Sequence, residues 1–391
     1  MEMNTPSPAG SPPPLPPPPP VITSTPPASP RKSRGWMIAA IILLVLLMLS
    51  LFGNVTQLVT SVFSFGSGMR GDAFGSAKDI GPKLEECVLE NNKSADKIAV
   101  ITVDGIITSH DYDQAGNNMV DVIQAQLDRA ADDKRVKAVI LKVDSPGGEV
   151  LASDEIYKAI RAFESDEPGE HGQPSRKGKP VICSMGSLAA SGGYYISSSC
   201  RWIVANDLTL TGSIGVIMHG YNYRGLMDKV GVYPMTFKSG LYKDMLSPDR
   251  STNDIPPGEH AMVQELINET YQTFTNVVAD GRGAAHELNK KEGKPLADGW
   301  TDYADGRVLS GTQALNLGLV DELGDFDDTV DRALEIAHIS NANLVEYRER
   351  YDLSNFLSMF GESGKAHDIK LDLGMDIPKL RAGLPYFLYQ P

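Results

Sequence analysis

VKAVILKVDSPGGEVLASDEIYKAIRAF, residues 136–163, is the stretch that decides the fold. Val136–Val143 is a short β-branched, apolar run of the kind buried in a parallel sheet, and Asp144-Ser-Pro-Gly-Gly148 breaks it with a glycine turn. Ala152, Ile156, Ala159, Ile160 and Phe163 then recur at helical spacing, so strand, turn and helix follow one another. The unit repeats on both sides. Upstream, the run Ile98–Val103 precedes Met119, Val122, Ile123, Leu127 and Ala130, which share a helix face. Downstream, a polar loop at Asp166–Gly178 leads to a strand at Pro180–Met185, the turn Ala189-Ala-Ser-Gly-Gly-Tyr-Tyr195 and a strand at Arg201–Ala205. This alternation predicts an α/β fold of repeated βα(β) units on a mainly parallel sheet, with right-handed crossovers.

The rest of the pattern extends the same domain. A helix is expected at Tyr223–Val230, a strand at Tyr233–Phe237, and a long helix in which Val263, Ile267, Thr270, Phe274 and Val278 share a face. Gly306–Gly324 reads as turn, helix and final strand, followed by a helix near Asp328–His338. A short helix is expected around Lys83–Asn91, with the folded domain starting near Lys97. One domain of roughly 250 residues accommodates these elements.

The amino-terminal quarter has a different character. Half of the 26 prolines of this 391-residue chain lie between Pro6 and Pro30, a composition that builds no core. Arg31, Lys32 and Arg34 then precede an uncharged apolar run from Trp36 to Gly53, long enough to cross a bilayer core of roughly 30 Å as a helix. The run exceeds the roughly 7–15 residues of a signal-peptide core, and no small-residue cleavage site follows closely. The expected organisation is a Pro-rich disordered cytoplasmic tail (1–34), a transmembrane helix (35–53), a linker (54–96), the folded domain (97–340) and a carboxy-terminal extension (341–391). The positive-inside rule makes this a single-pass protein of the cytoplasmic membrane with its domain on the outer side.

A net charge of -14 argues against nucleic acid as a partner, because a phosphate backbone needs a basic surface. Cys87, Cys183 and Cys200 have no framework spacing and are expected to be free thiols. No Cys/His cluster suggests zinc, and no cofactor or metal is expected.

Chemistry is expected at the two glycine turns. A serine nucleophile needs a base, and its tetrahedral intermediate needs hydrogen-bond donors for the oxyanion. Glycine-rich turns that open helices supply main-chain N–H groups, although ordinary strand-to-helix turns use the same residues. Their placement in consecutive βα units sets them side by side.

DSPGG, MGSLAASGGYY, LTGSIGVI, FKSGLYKD and DGRVLSGTQALNLGLVDELG, in this order across residues 97–338, resemble the signal peptide peptidase A (SppA) type of serine peptidase. The resemblance implies a Clp/crotonase-like fold. It implies Ser191 of AASGG as nucleophile, Lys243 of FKSGLYKD as base, and Ser213 of LTGSIG as the serine that orients the lysine. It further implies an oxyanion hole from the N–H groups of Gly192 and of the Gly147–Gly148 pair. The length matches the short, single-module branch, in which one chain supplies both Ser and Lys. Hydrophobic remnant signal peptides as substrates, a membrane location and ring-shaped homo-oligomers are likewise implied.

Several alternatives stand beside this reading. A lysine base must be desolvated, so Asp244 is expected to point away from Lys243. Lys238 is an equal candidate on sequence alone, and His219 is a chemically better base at neutral pH. Ser187 is expected to cap or pack locally, and Asp144 to end its strand and cap the next helix. Tyr194 and Tyr195 are expected in the wall and core, with Leu151 and Ile214 lining a pocket for aliphatic side chains. Leu384–Pro391 either packs on its own domain or docks on a neighbouring subunit. A crotonase-type acyl-CoA enzyme and an inactive peptide-binding scaffold are the competing functions.

Overall fold

The computed structural model describes residues 81–110, 117–166, 176–349 and 386–388. At its centre, strand β3 (Val136–Ser145) lies between β2 (Lys97–Asp104) and β5 (Val181–Ala190), parallel to both. The path continues on one side to β10 (Asn343–Glu349) and β1 (Leu84–Glu90), and on the other to β6 (Trp202–Ala205) and β9 (Glu322–Leu323). All neighbours along it are parallel except β1, which runs antiparallel on β10. The carboxy-terminal half of β5 turns to a different partner, β7 (Leu210–Gly212), which pairs with β8 (Val308–Ser310).

Both faces of this sheet are apolar, which is why its strands read as unbroken runs rather than alternating ones. Ile101, Val139, Leu141 and Val181 point to one face, under helices α1 (Met119–Asp132), α2 (Val150–Glu164) and α3 (Gly192–Ser197). Ile98, Val100, Ala138, Ile140 and Ile182 fill the other, where Val330 and Ala333 of the last helix pack. Between these lie α4 (Arg224–Lys229), the long α5 (Glu259–Leu288) and α6 (Gly311–Asn316), before that last helix, α7 (Phe326–Ile336). Side chains fix several starts: Asn118 caps α1, while Ser310 with Gln313 and Asp325 with Asp328 form capping boxes on α6 and α7.

Two expectations change, and of the two readings of the carboxy terminus the packing on its own domain is the one found. Residues 84–90 form an edge strand instead of a helix, so the folded domain begins before Lys97. The Lys97 ammonium, bonded to Glu86 at 2.6 Å and Asp133 at 2.9 Å, ties that edge down. Residues 233–237 form no strand: they have no sheet partner, and Phe237 is 90% exposed. The carboxy terminus contributes strand β11 (Tyr386–Leu388), paired with β4 (Gly147–Glu149) on its own domain. The expected Pro-rich tail, membrane span and most of the linker lie outside the described residues. Among the described residues no helix is long and apolar enough to cross a membrane. Cys183 and Cys200 are buried and Cys87 partly so, all as free thiols.

Glu164, at the end of α2, accepts the N–H of Val181 at 3.0 Å, and burial pushes its carboxyl up to about 7. A carboxyl raised in the folded state contributes stability that is full below its unfolded value of 4.5 and is lost as pH rises towards 7. Glu164→Gln keeps the acceptor and removes the titration. Urea melts are expected to show the variant gaining on the parent, by on the order of 1–2 kcal/mol, between pH 5 and pH 8. An equal gap at both pH values would refute this.

Candidate active site

Strand β5 delivers Ser191 to the start of α3 with φ 54° and ψ −115°. A non-glycine residue there carries strain of order 1–3 kcal/mol, and such strain persists only where the surroundings over-determine it. Here they do. The Ser191 N–H donates to Gly212 O at 2.8 Å, and Ser191 O accepts from Tyr195 N at 2.8 Å, so the turn is clamped on both sides. The two following glycines are needed for space. A Cβ on Gly192 would lie 2.7 Å from Ser153 Oγ and 3.0 Å from Gly148 N, and one on Gly193 would lie 2.8 Å from Ser145 O. The second glycine turn is therefore pressed directly against the first.

The groups around Ile107 separate the roles of Gly147 and Gly148. The Gly147 N–H donates to Ser145 Oγ at 3.0 Å and is committed there. Gly147 O accepts from Ile107 N, and Glu149 N donates to Ile107 O, so these groups face Ile107. Alternation along β4 turns the N–H of Gly148 to the opposite edge, towards the groove. Gly148 must be glycine because a Cβ would meet Ile107 O at 1.9 Å. The Gly192 N–H opens α3, where first-turn N–H groups have no intrahelical acceptor. Gly148 and Gly192 thus present the main-chain donors beside Ser191. Asp144 does not cap α2: its carboxylate accepts Leu188 N at 3.0 Å and braces β3 against the bend in β5. The residue before α2 is Glu149, which makes no side-chain cap.

Ser191 is only 1% exposed, yet it lines a cavity of about 590 Å³ together with Ser213, Val216, Ile217, His219 and Ile267. Ser213 also has a positive φ, 49°, and is held by its N–H to Arg307 O at 2.8 Å. Asn268, Tyr271 and Asp305 complete the far wall. Sequence reading misses these three, although Ile267 and Tyr271 are spaced four apart on α5 and Asp305 begins the DGR turn. The Arg307 guanidinium, hydrogen-bonded to Asp305, pulls its carboxyl down to about 2. Of the apolar residues expected to line a pocket, Leu151 is 63% exposed and outside the cavity, while Ile214 is buried beneath it. Tyr194 and Tyr195 are buried core residues, as expected. Among the described residues no group of side chains could hold a metal ion.

Lys243 is not among the residues lining this cavity in a single copy of the chain; it is exposed in the turn after Gly240. Asp244 points away from it, bonded to Lys238 at 2.8 Å and Arg250 at 2.9 Å. The pair assigned as nucleophile and base is therefore separated here, whereas Ser191, Ser213 and His219 are brought together.

A strained serine between a strand and a helix, with two main-chain donors and a cavity of mixed polar and apolar lining, defines a serine hydrolase. Comparison with other proteins carries this further. Residues 173–340 match the model of peptidase family S49. The putative signal peptide peptidase SppA of Enterococcus faecium is 35% identical over 280 residues, which cover 71% of this chain and 73% of the relative. A putative protease of Synechocystis is 41% identical over 54% of this chain and 66% of its own length. Protease 4 of Salmonella typhi is 35% identical over 64% of this chain but only 36% of its own length. Among solved structures, the 1510-N membrane-bound stomatin-specific protease superposes with a TM-score of 0.37 at 17% identity, covering 61% of this chain and 84% of that one. The chain belongs to peptidase family S49 and is an SppA-type serine peptidase.

Proposed function

We propose that this chain is a membrane-anchored endopeptidase that cleaves hydrophobic peptides such as remnant signal peptides, with Ser191 as nucleophile and Lys243 as base. The observation that carries this reading is the strained Ser191 turn on a cavity whose wall includes Val216, Ile217 and Ile267, with the Gly148 and Gly192 N–H groups beside it. Attack by Ser191 Oγ on a peptide carbonyl places negative charge on its oxygen, and these two N–H groups are the donors in reach of that charge. Ser213, on the same cavity, orients the base. A Clp/crotonase-like arrangement of the βα units accounts for two helix-opening turns meeting at one point. The anchor is residues 35–53, which leaves the domain on the outer side of the cytoplasmic membrane.

Lys243 reaches Ser191 from a second copy of the chain. In one copy it is exposed and lies outside the cavity that Ser191 lines. Around it Leu226, Val230, Tyr233, Met235, Phe237 and Leu241 are all at least half exposed, a surface that a neighbouring subunit would cover. Packing of this face over the neighbour's cavity would desolvate the amine as it delivers it. A second reading, a Ser191–His219 pair within one chain, is favoured by His219 lining the cavity.

The substrate class is tested with the full chain in detergent against three reporters: an apolar peptide with the composition of a signal-peptide core, a charge-rich peptide of equal length, and an acyl-CoA thioester. The expected result is a kcat/KM at least ten times higher for the apolar peptide than for the charged one, with no thioester turnover. Equal rates on both peptides would reject the substrate class, and turnover of the thioester alone would reject the peptidase.

A further inference from the structure

Glu149 closes β4 and immediately precedes α2, a cap position at which Ser, Thr, Asp or Asn is the usual residue. Its carboxylate makes no cap. It is turned back instead onto residues 108–110, where Oε1 accepts from Thr108 Oγ1 at 3.1 Å and Oε2 accepts from the Ser109 N–H at 3.2 Å and from Ser109 Oγ at 3.1 Å. His110 Nδ1 stands 2.8 Å from both oxygens. Glu149 is only 8% exposed, and a carboxylate taken out of water is tolerated only when it is well hydrogen-bonded. The groups of these three consecutive residues fill the roughly four acceptor sites of its two oxygens.

The clamped segment continues directly from the residue that aims an oxyanion donor. Ile107 bridges to Gly148: its N–H donates to Gly147 O at 2.9 Å, and its carbonyl accepts from Glu149 N at 2.8 Å. These two bonds, one on each side of Gly148, turn the Gly148 N–H towards the Ser191 groove. Glycine has no Cβ to restrain its peptide, so that orientation lasts only while Ile107 stays in place. On one side of Ile107 the chain is held by the Gly105 N–H, which donates to Asp144 O at 3.0 Å; on the other it is held by the Glu149 carboxylate. The second donor connects to the same residue. Ser153 Oγ donates to Glu149 O at 2.8 Å and lies 2.7 Å from where a Gly192 Cβ would stand.

We propose that Glu149 is a positioning residue for catalysis: its carboxylate locks residues 107–110 against β4 and so keeps the Gly148 N–H aimed at the oxygen that becomes charged when Ser191 attacks. The side chain acts through Gly148 and not on the reacting atoms. The inference rests on the Ser191 site being the catalytic one, with Gly148 as a donor. Because the charge develops in the transition state, a misaimed donor lowers kcat and leaves ground-state binding alone. Residue 149 has to supply hydrogen-bonding geometry rather than charge. A glutamine carbonyl can accept the Ser109 N–H, and its amide can pair with hydroxyls and an imidazole that reorient or change tautomer.

Kinetics of the full chain on the apolar reporter separate aiming from folding. Glu149→Ala is expected to lower kcat by about 10- to 100-fold, with KM within about threefold of the parent. A boronic acid built on the same peptide, to which Ser191 Oγ adds at boron, places an oxygen at the donors and is expected to lose affinity by the same factor as kcat. The uncleaved reporter is expected to bind Ser191→Ala equally well with and without Glu149→Ala. Glu149→Gln is expected to recover kcat to within about threefold of the parent. Thr108→Val combined with Ser109→Ala removes hydroxyl donors from the opposite side of the contact. It is expected to lower kcat about fivefold at unchanged KM, and it keeps the test decisive if Glu149→Ala does not fold. Parental kcat in Glu149→Ala or in the double variant, a fall in kcat with undiminished boronate affinity, or Glu149→Gln no better than Glu149→Ala overturns the proposal. A boronate that fails to inhibit the parent, or hydrolysis that survives Ser191→Ala, instead overturns the Ser191 site itself.

Discussion

Ser191→Ala is expected to lower kcat/KM for the apolar reporter by at least about 10³-fold while leaving the fold intact. Only the hydroxyl is lost. The turn is fixed by main-chain bonds to Gly212 and Tyr195, neither of which involves the side chain. Ser191→Gly sharpens the test, because it removes the nucleophile and the strain together. Relief of the φ 54°, ψ −115° conformation contributes about 1–3 kcal/mol, against about 0.5–1 kcal/mol for the extra freedom of unfolded glycine. The glycine variant is therefore expected to be inactive and more stable than the parent by about 1 kcal/mol, measured as a higher denaturant midpoint. Ser187→Ala is the control: Ser187 is exposed in the middle of β5, and its loss should change neither quantity. Activity within tenfold of the parent in Ser191→Ala would remove Ser191 as nucleophile.

The same turn illustrates what sequence can and cannot carry. The βα units are legible because a parallel strand covered on both faces is apolar along its whole length, so Val136–Val143 announces itself without knowledge of its partners. Residues 84–90, LEECVLE, mislead for the opposite reason. Their leucines and glutamates favour a helix locally, but the segment is an edge strand whose exposed side tolerates charge, and pairing with β10 overrides propensity. Residues 233–237 have strand-like side chains and no partner, so the composition reflects a surface instead of a sheet. At the site, Ser191 is legible from its flanking glycines. The division of labour between Gly147 and Gly148 is not, since it depends on which edge of β4 faces Ile107. The strand at residues 386–388 is illegible in principle: its partners are about 170 and 240 residues away, and neither neighbour in sequence hints at them.

Lys243→Ala is expected to cost at least about 10³-fold in kcat with KM little changed, and His219→Ala less than about fivefold. The difference follows from what each group must do. A base acts in the transition state, so its removal falls on kcat, whereas a residue that merely lines the cavity affects how substrate sits. The separation of Lys243 from Ser191 within one copy adds a stricter demand. If each site takes its serine from one subunit and its lysine from the next, neither Ser191→Ala nor Lys243→Ala is active alone, but co-assembly of the two restores sites. At equal proportions in a closed ring, about a quarter of sites pair an intact serine with an intact lysine. Mixing the variants under conditions of subunit exchange is therefore expected to recover about 25% of parental activity, arithmetic that follows from random placement around the ring. A dyad formed inside one chain would leave every mixture inactive. A Ser191–His219 pair would be recognised by activity surviving in Lys243→Ala and vanishing in His219→Ala, and the apolar face around Phe237 would then serve assembly alone.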